Sequence, residues 1–289
     1  MSGPVIDSHH HFRDPARFDY PWMEGEAMAP IRRPFEPADL APVLRANGVD
    51  ATIVVQCCST LAETEALLDL AAATPFVAGV VGWIDLADAQ AGATLDRLLA
   101  RPDGGKLVGI RHQVHDEEDP YWLARADVQQ GLAAVFERGL AYDLLVRTRE
   151  LPAAIEVARA FPHGRFVLDH AAKPPIATGF SQPWADRVAE LAACPNVWCK
   201  ASGLVTEARW HDWRIDELAP VVGHVHRAFG GDRLMFGSDW PVSLLAAGYD
   251  RVKAAAHDCL DGLAGVDRDE IFGGVARRAY RLEGRGDRC

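Results

Sequence analysis

Eight short runs of β-branched and apolar residues alternate with helix-forming stretches along this chain, and no other feature constrains the fold as much. The runs are "PVIDSH" (4–9), "ATIVVQCC" (51–58), "FVAGVVGW" (76–83), "KLVGIRH" (106–112), "LAYDLLV" (140–146), "RFVLDH" (165–170), "NVWCKAS" (196–202) and "RLMFGSD" (233–239). Between them lie Ala- and Leu-rich segments such as "LAETEALLDLAAAT", "VQQGLAAVFERG", "LPAAIEVARAF" and "WADRVAELAAC". Strands that alternate with helices predict a parallel sheet, and eight such units predict its closure into a (β/α)8 barrel. The 289 residues, 49% of them hydrophobic, are enough for that core. An open doubly wound sheet would want a glycine-rich first turn, and histidines follow the first strand instead. We therefore expect one domain spanning residues 1–289, an α/β TIM barrel distorted by a long loop after the first strand. That loop, residues 13–36, is rich in Pro and aromatics, and its length points to a functional role on the carboxyl face of the barrel.

The formal net charge of -11 disfavours nucleic acid and anionic membrane, which both need a basic footprint. A small polar substrate in a cleft remains open, as does homo-oligomer formation. There is no basic-then-apolar leader and no apolar run long enough to span a bilayer, so a cytoplasmic chain is expected. The six cysteines, Cys57, Cys58, Cys194, Cys199, Cys259 and Cys289, show no CxxC pair and read as reduced thiols.

Polar residues gather at the carboxyl ends of the strands. The first ends in Asp7, His9 and His11, the fourth in Arg111 and His112, and the fifth in Arg147. The sixth ends in Asp169 and His170, followed by Lys173. The seventh carries Lys200 and Ser202, and the eighth ends in Ser238 and Asp239. In a parallel barrel these ends converge at one mouth. His9 and His11 are two apart and share a strand face, whereas His10 points the other way and reads as a structural hydrogen-bonder. A His pair on one face, joined by one more His and a carboxylate from other strands, makes a divalent-metal set with an open position for water or substrate. Taken singly, each member has an ordinary reading: His170 as a core histidine, Asp239 as a turn residue, Lys200 as a structural ion pair. Joint placement favours the functional one. His115 and Asp116 in "HQVHDEED" read as solvated loop residues, and Met23, Met28 and Met235 as packing.

The stretches "IDSHHHFRDPARFDYPWM" (6–23), "KLVGIRHQVHDEEDPYWL" (106–123), "VLDHAAKP" (167–174), "KASGL" (200–204), "MFGSDWPV" (235–242) and "IFGGVARRAYRL" (271–282) together give the chain its family likeness. It resembles the amidohydrolase superfamily, in particular its sugar-lactone hydrolase branch. The resemblance implies that His9, His11, His170 and Asp239 are metal ligands, with Asp239 doubling as proton acceptor. It implies one divalent ion, zinc in the first instance, because the bridging lysine or glutamate of binuclear members is missing. The fourth strand has Ile110, Arg111 and His112 there, and the fifth has Val146 and Arg147. Metal-independent activity is the alternative, with Arg111, His112, Arg147, Lys173 and Lys200 as an electrostatic clamp on the carbonyl.

The activity implied is opening of a sugar lactone to the aldonic acid, with Asp239, His170 and His112 as the catalytic set. Trp22, Gln56, Trp83, Arg111, His112, Arg147, Lys173 and Lys200 are the expected substrate contacts, with Tyr20 and Trp240 beside them. Aromatic faces suit the C–H face of a sugar and polar tips suit its hydroxyls; ordinary packing is the competing account of Trp83 and Trp240. A metal-dependent decarboxylase would use the same frame, but it often has a glutamate where this chain has Asp7. A non-catalytic sugar-binding barrel would keep the rings and lose the base, and Asp239 argues against it. Phosphotriesterase and amidase chemistry lean on two metals.

Overall fold

The computed structural model describes residues 3–179 and 181–282. Its strands are β1 (Ile6–His10), β2 (Ala51–Val55), β3 (Val77–Gly82), β4 (Leu107–His112), β5 (Ala141–Leu144), β6 (Arg165–Leu168), β7 (Val197–Ala201) and β8 (Leu234–Phe236). They pair in chain order, each parallel to the next. The helices are α1 (Pro37–Ala46), α2 (Leu61–Ala73), α3 (Ala91–Leu99), α4 (Ala126–Glu137), α5 (Leu151–Ala160), α6 (Gln182–Ala192), α7 (Leu204–Glu207), α8 (Ile215–Phe229), α9 (Tyr249–Leu260) and α10 (Val275–Ala279). This is the (β/α)8 barrel expected from the alternation.

The seam between β8 and β1 is the irregular part. One parallel bridge, His10 with Trp240, closes it. The Asp239 amide donates to His9 O at 2.8 Å and the His11 amide to Trp240 O at 2.7 Å. The buried Asp7 carboxylate accepts from the Ser238 amide at 2.8 Å, the Ser238 hydroxyl at 2.6 Å and the Tyr249 hydroxyl at 3.0 Å. Asp7 therefore ties both sides of the seam to α9.

Strand alternation sorts the barrel interior. In β5, β6 and β7 the period of two sends Ala141 and Asp143, Val167 and Asp169, and Trp198 and Lys200 inward. The lower members join Ile6, Ile53, Met235 and α10 in an apolar plug, and the upper members form a charged layer above it. In β1 the register shifts between Asp7 and His10, which brings His9 to the interior although Ile6 already faces it.

Four strands stop two or three residues short of the sequence-based expectation: β2 at Val55, β5 at Leu144, β6 at Leu168 and β8 at Phe236. The residues beyond them leave the ladder to build the mouth. His170, Ala171, Ala172 and Lys173 have φ of 52, 49, 60 and 49°, and Asp239 has φ 56°. Left-handed backbone cannot continue a strand.

The 13–36 loop closes on itself at its neck, where Arg13 and Phe35 exchange backbone hydrogen bonds of 3.0 and 2.9 Å. Two 3-10 turns, Pro21–Met23 and Glu26–Ile31, stiffen it. Buried Glu63 on α2 holds it down, accepting from the Tyr20 hydroxyl at 3.3 Å and from the Cys57 and Cys58 amides at 3.0 and 2.7 Å. Cys57, Cys58, Cys194, Cys199 and Cys259 are free thiols; Cys289 lies outside the described residues. Among the described residues no helix is long and apolar enough to cross a membrane.

Candidate active site

A cavity of about 290 Å³ opens at the carboxyl ends of the strands. Its floor is made by His11, Arg111, His170 and Asp239, with Trp22 and Met28 from the long loop on one side. His115, Asp116, Arg147, Lys173, Glu207 and Trp210 supply the other walls.

Asp239 is the centre of the floor. Its Oδ1 lies 3.3 Å from His11 Nε2, 3.9 Å from His9 Nε2 and 4.0 Å from His170 Nε2. The ligand atoms of His9, His170 and Asp239 lie within 4.8 Å of one another, as a metal-binding group requires. The outer nitrogens are held from behind: His11 Nδ1 lies 2.7 Å from Val55 O and His170 Nδ1 2.8 Å from Ser202 Oγ. A carbonyl can only accept, so His11 carries its proton on Nδ1 and turns the Nε2 electron pair to the floor.

That pair faces His9 Nε2 at 3.3 Å and the Asp239 carboxylate at 3.3 Å. An imidazole electron pair turned towards a carboxylate is satisfied by a cation between them, so the donor set fits a divalent ion. The β4 side of the floor is different. There the Arg111 guanidinium lies 3.3 Å from His9 Nε2 and 3.1 Å from Asp169 Oδ2, and it donates to Gln56 O. A guanidinium is no metal ligand.

Burial dominates the protonation of the floor. It pushes the His9 and His11 imidazoles down and takes His170 to about 4, so all three are neutral at neutral pH. Burial opposes ionisation of Asp239, but the His170, His11 and His9 imidazoles outweigh it and hold the carboxyl below its ordinary range. Asp239 is thus a carboxylate surrounded by neutral rings.

The two residues that matter most here sit on costly backbone. His170 and Asp239 are both left-handed, each at roughly 1–2 kcal/mol. Hydrogen bonds fix them: Lys173 N donates to His170 O at 2.8 Å, Trp184 Nε1 to Ala171 O at 2.7 Å, and Ser243 N to Asp239 O at 2.9 Å. Opposite them, Gly203 has no Cβ and φ +62°; a Cβ there would stand 2.6 Å from His170 Nδ1 and 3.0 Å from Asp239 Oδ2.

The structure brings His9, His11, His170, Asp239, Arg111, Trp22, Arg147 and Lys173 to this place, as the sequence suggests. Arg147 and Lys173 share Glu207, at 3.5 and 2.9 Å, so they form a paired wall rather than free cations.

Four expected contacts do not line the cavity. His112 follows the inward Arg111 by one residue, so alternation turns it away. It stacks on Trp122 at 4.1 Å, lies 2.8 Å from Glu117 Oε1 and accepts from Trp83 Nε1 at 3.0 Å, which occupies Trp83 as well. Gln56 is buried and donates to Arg111 O at 3.1 Å. Lys200 does face inward, but one layer deeper, where it pairs with Asp143 at 2.6 Å and Asp169 at 2.9 Å. Tyr20 and Trp240 are also buried.

Conversely, His115 and Asp116 are not simply solvated, and Met28 is more than packing. The 3-10 turn Val114–Asp116 buries Val114 and lays His115 along the cavity wall. Burial takes the His115 imidazole to about 3. Its place in the loop after β4, on the face where barrel sites form, was the available signal. Asp143 had no such signal, because a lone acidic residue in "AYDLL" does not say what it meets.

The amidohydrolase family model matches residues 6–282. An L-fucono-1,5-lactonase of Burkholderia ambifaria is 43% identical over 96% of both chains. An L-fucono-1,5-lactonase of Burkholderia multivorans is 39% identical, covering 98% of this chain and 97% of its own. A crystal structure of a Burkholderia multivorans amidohydrolase with bound zinc superposes with a TM-score of 0.90 at 38% identity, over 97% of this chain and all of that one.

Proposed function

The chain belongs to the amidohydrolase family, and from that premise we propose that it hydrolyses the ring ester of a sugar lactone, such as L-fucono-1,5-lactone, to the aldonic acid. The observation that carries this reading is the Asp239 carboxylate, ionised among three neutral imidazoles on the floor of a cavity of about 290 Å³ lined by both charged and aromatic side chains.

Asp239 takes a proton from a water molecule as the water oxygen bonds to the lactone carbonyl carbon. The ring C–O bond then breaks, and Asp239 returns the proton to the departing ring oxygen. One molecule of water is consumed and one hydroxy acid is made. His9, His11 and His170 surround the Asp239 carboxylate on three sides. Arg111, fixed by Asp169 and the Gln56 carbonyl, is a preorganised donor for the negative charge that grows on the carbonyl oxygen. Trp22 and Trp210 offer ring faces to the sugar, while His115, Arg147, Lys173 and Glu207 offer partners to its hydroxyls.

His9, His11, His170 and Asp239 would hold one divalent ion, zinc in the first instance, which when bound polarises the carbonyl and lowers the pKa of water. Removing it with a chelator should cut turnover, and adding zinc back should restore it. Full turnover by protein shown to be metal-free would leave Arg111 as the polarising group.

A pH-indicator screen of aldonolactones on protein of measured metal content tests the reading. Acid release well above the spontaneous rate from at least one lactone is expected. No release from any of them would reject it.

A further inference from the structure

Opening a lactone turns an uncharged molecule into an anion. The charge of the cavity walls therefore bears on product release as well as on substrate choice. Three cations line the cavity, Arg111, Arg147 and Lys173, against three carboxylates, Asp116, Glu207 and Asp239. On the floor, Arg111 is committed to Asp169 at 3.1 Å. The other two cations meet at Glu207: Lys173 Nζ lies 2.9 Å from its Oε1, and Arg147 Nη1 lies 3.5 Å from its Oε2.

Three loops supply this cluster. Arg147 follows β5, Lys173 ends the left-handed turn after β6, and Glu207 closes the single-turn α7 after β7. Gly203, pressed against His170 and Asp239, starts α7 at the edge of the floor. The side chains of Lys173 and Glu207 are only 18% and 13% exposed, whereas that of Arg147 is 51% exposed. Solvent screens Arg147, so Lys173 is the cation whose charge is felt most in the cavity. A partly desolvated ammonium with no carboxylate beside it would hold an incoming carboxylate by a charge-assisted hydrogen bond. Glu207 occupies that place, and its own charge repels a second anion.

We propose that Glu207 is a specificity-determining residue: by neutralising Lys173 it makes the cavity take uncharged polyhydroxy lactones, reject lactones that carry a free carboxylate, and release the aldonate product. The role in turnover rests on the lactone hydrolysis proposed above. The test is calorimetric binding of two anions, L-fuconate and succinate, to the zinc-loaded full chain as wild type, E207Q and E207Q/K173M. Succinate has no hydroxyls, so its capture reports charge alone. E207Q keeps the shape of the side chain and removes its charge. It should bind at least one of the anions about tenfold more tightly than wild type, the range of one charge-assisted hydrogen bond. The double variant should lose that gain. In turnover, E207Q should raise kcat/KM for glucaro-1,4-lactone, which has a free carboxylate, relative to that for L-fucono-1,5-lactone.

A Glu207 that merely braces Lys173 would leave anion binding unchanged in E207Q and slow both lactones alike; that result overturns the proposal, and so does a gain in anion binding that survives K173M. If E207Q does not fold, E207A makes the same comparison. Wild type decides as well: L-fuconate should inhibit it only above the KM of the lactone, and inhibition at lower concentration overturns the proposal. Calorimetry needs no turnover. Inactive wild type with tighter anion binding in E207Q would therefore count against the lactone reading alone, and active wild type with no such gain against Glu207 alone.

Discussion

Gly203 shows how little room the floor leaves. Any side chain there must hold φ near +62° and place its Cβ 2.6 Å from His170 Nδ1. G203A should therefore cost about 1–3 kcal/mol, through backbone strain and crowding together, and displace His170. A urea midpoint and a zinc titration check both effects, and an unchanged pair would mean that the floor is looser than drawn. Trp22 is the opposite case, a half-buried ring whose indole donates to Cys57 O at 3.1 Å. W22A should raise the KM for the lactone by about tenfold, equivalent to about 1.4 kcal/mol, with a small change in Tm. An unmoved KM would take the loop out of substrate binding. At this scale the sequence told most where alternation is strict and least where packing decides. His9, His11, His170 and Asp239 were legible because each falls at or just past the carboxyl end of a strand-like run in the sequence. His112 looked equivalent to Arg111, and only the direction of its neighbour separates them.

The elements differ in what they reveal. Helices and strands followed from periodicity, yet the strand ends did not, because left-handed backbone at His170 to Lys173 and at Asp239 leaves no mark in "DHAAKP" or "GSDWP". The chain abandons the ladder there to aim two side chains, and hydrogen bonds hold the left-handed backbone against its cost. Helix α4 offers a cleaner contest. Gly131 lies within it, where Ala would be favoured by about 1 kcal/mol on propensity alone. However, a Cβ at Gly131 would stand 2.2 Å from Leu86 O, a backbone atom that cannot swing aside. Crowding of this kind costs about 1–3 kcal/mol, so G131A should lower the Tm despite the better helix former. A rise in Tm would show that α4 can slide on the β3 side of the barrel.

Across the whole molecule, buried neutral imidazoles couple stability to pH. Burial lowers His112 and takes His115 to about 3, against an ordinary value of 6.5. Below 6.5 the unfolded chain binds protons that the folded chain does not. Stability is therefore full above 6.5 and falls as pH drops towards 3, by up to about 1.4 kcal/mol per pH unit for each such group. Urea unfolding at pH 7 and pH 5 should show the loss, and H115Q should shrink it by about 1–2 kcal/mol. An identical loss in H115Q would mean that His115 takes up its proton in the folded state.

The central claim is that Asp239 moves the proton in lactone opening. The direct measurement is the steady-state rate of acid release by D239N beside wild type, with the spontaneous rate subtracted and substrate binding followed separately. The account predicts binding within a few-fold of wild type and kcat lower by about a thousandfold, in the range for loss of a general base. Turnover of the lactone by D239N at the wild-type rate would contradict it.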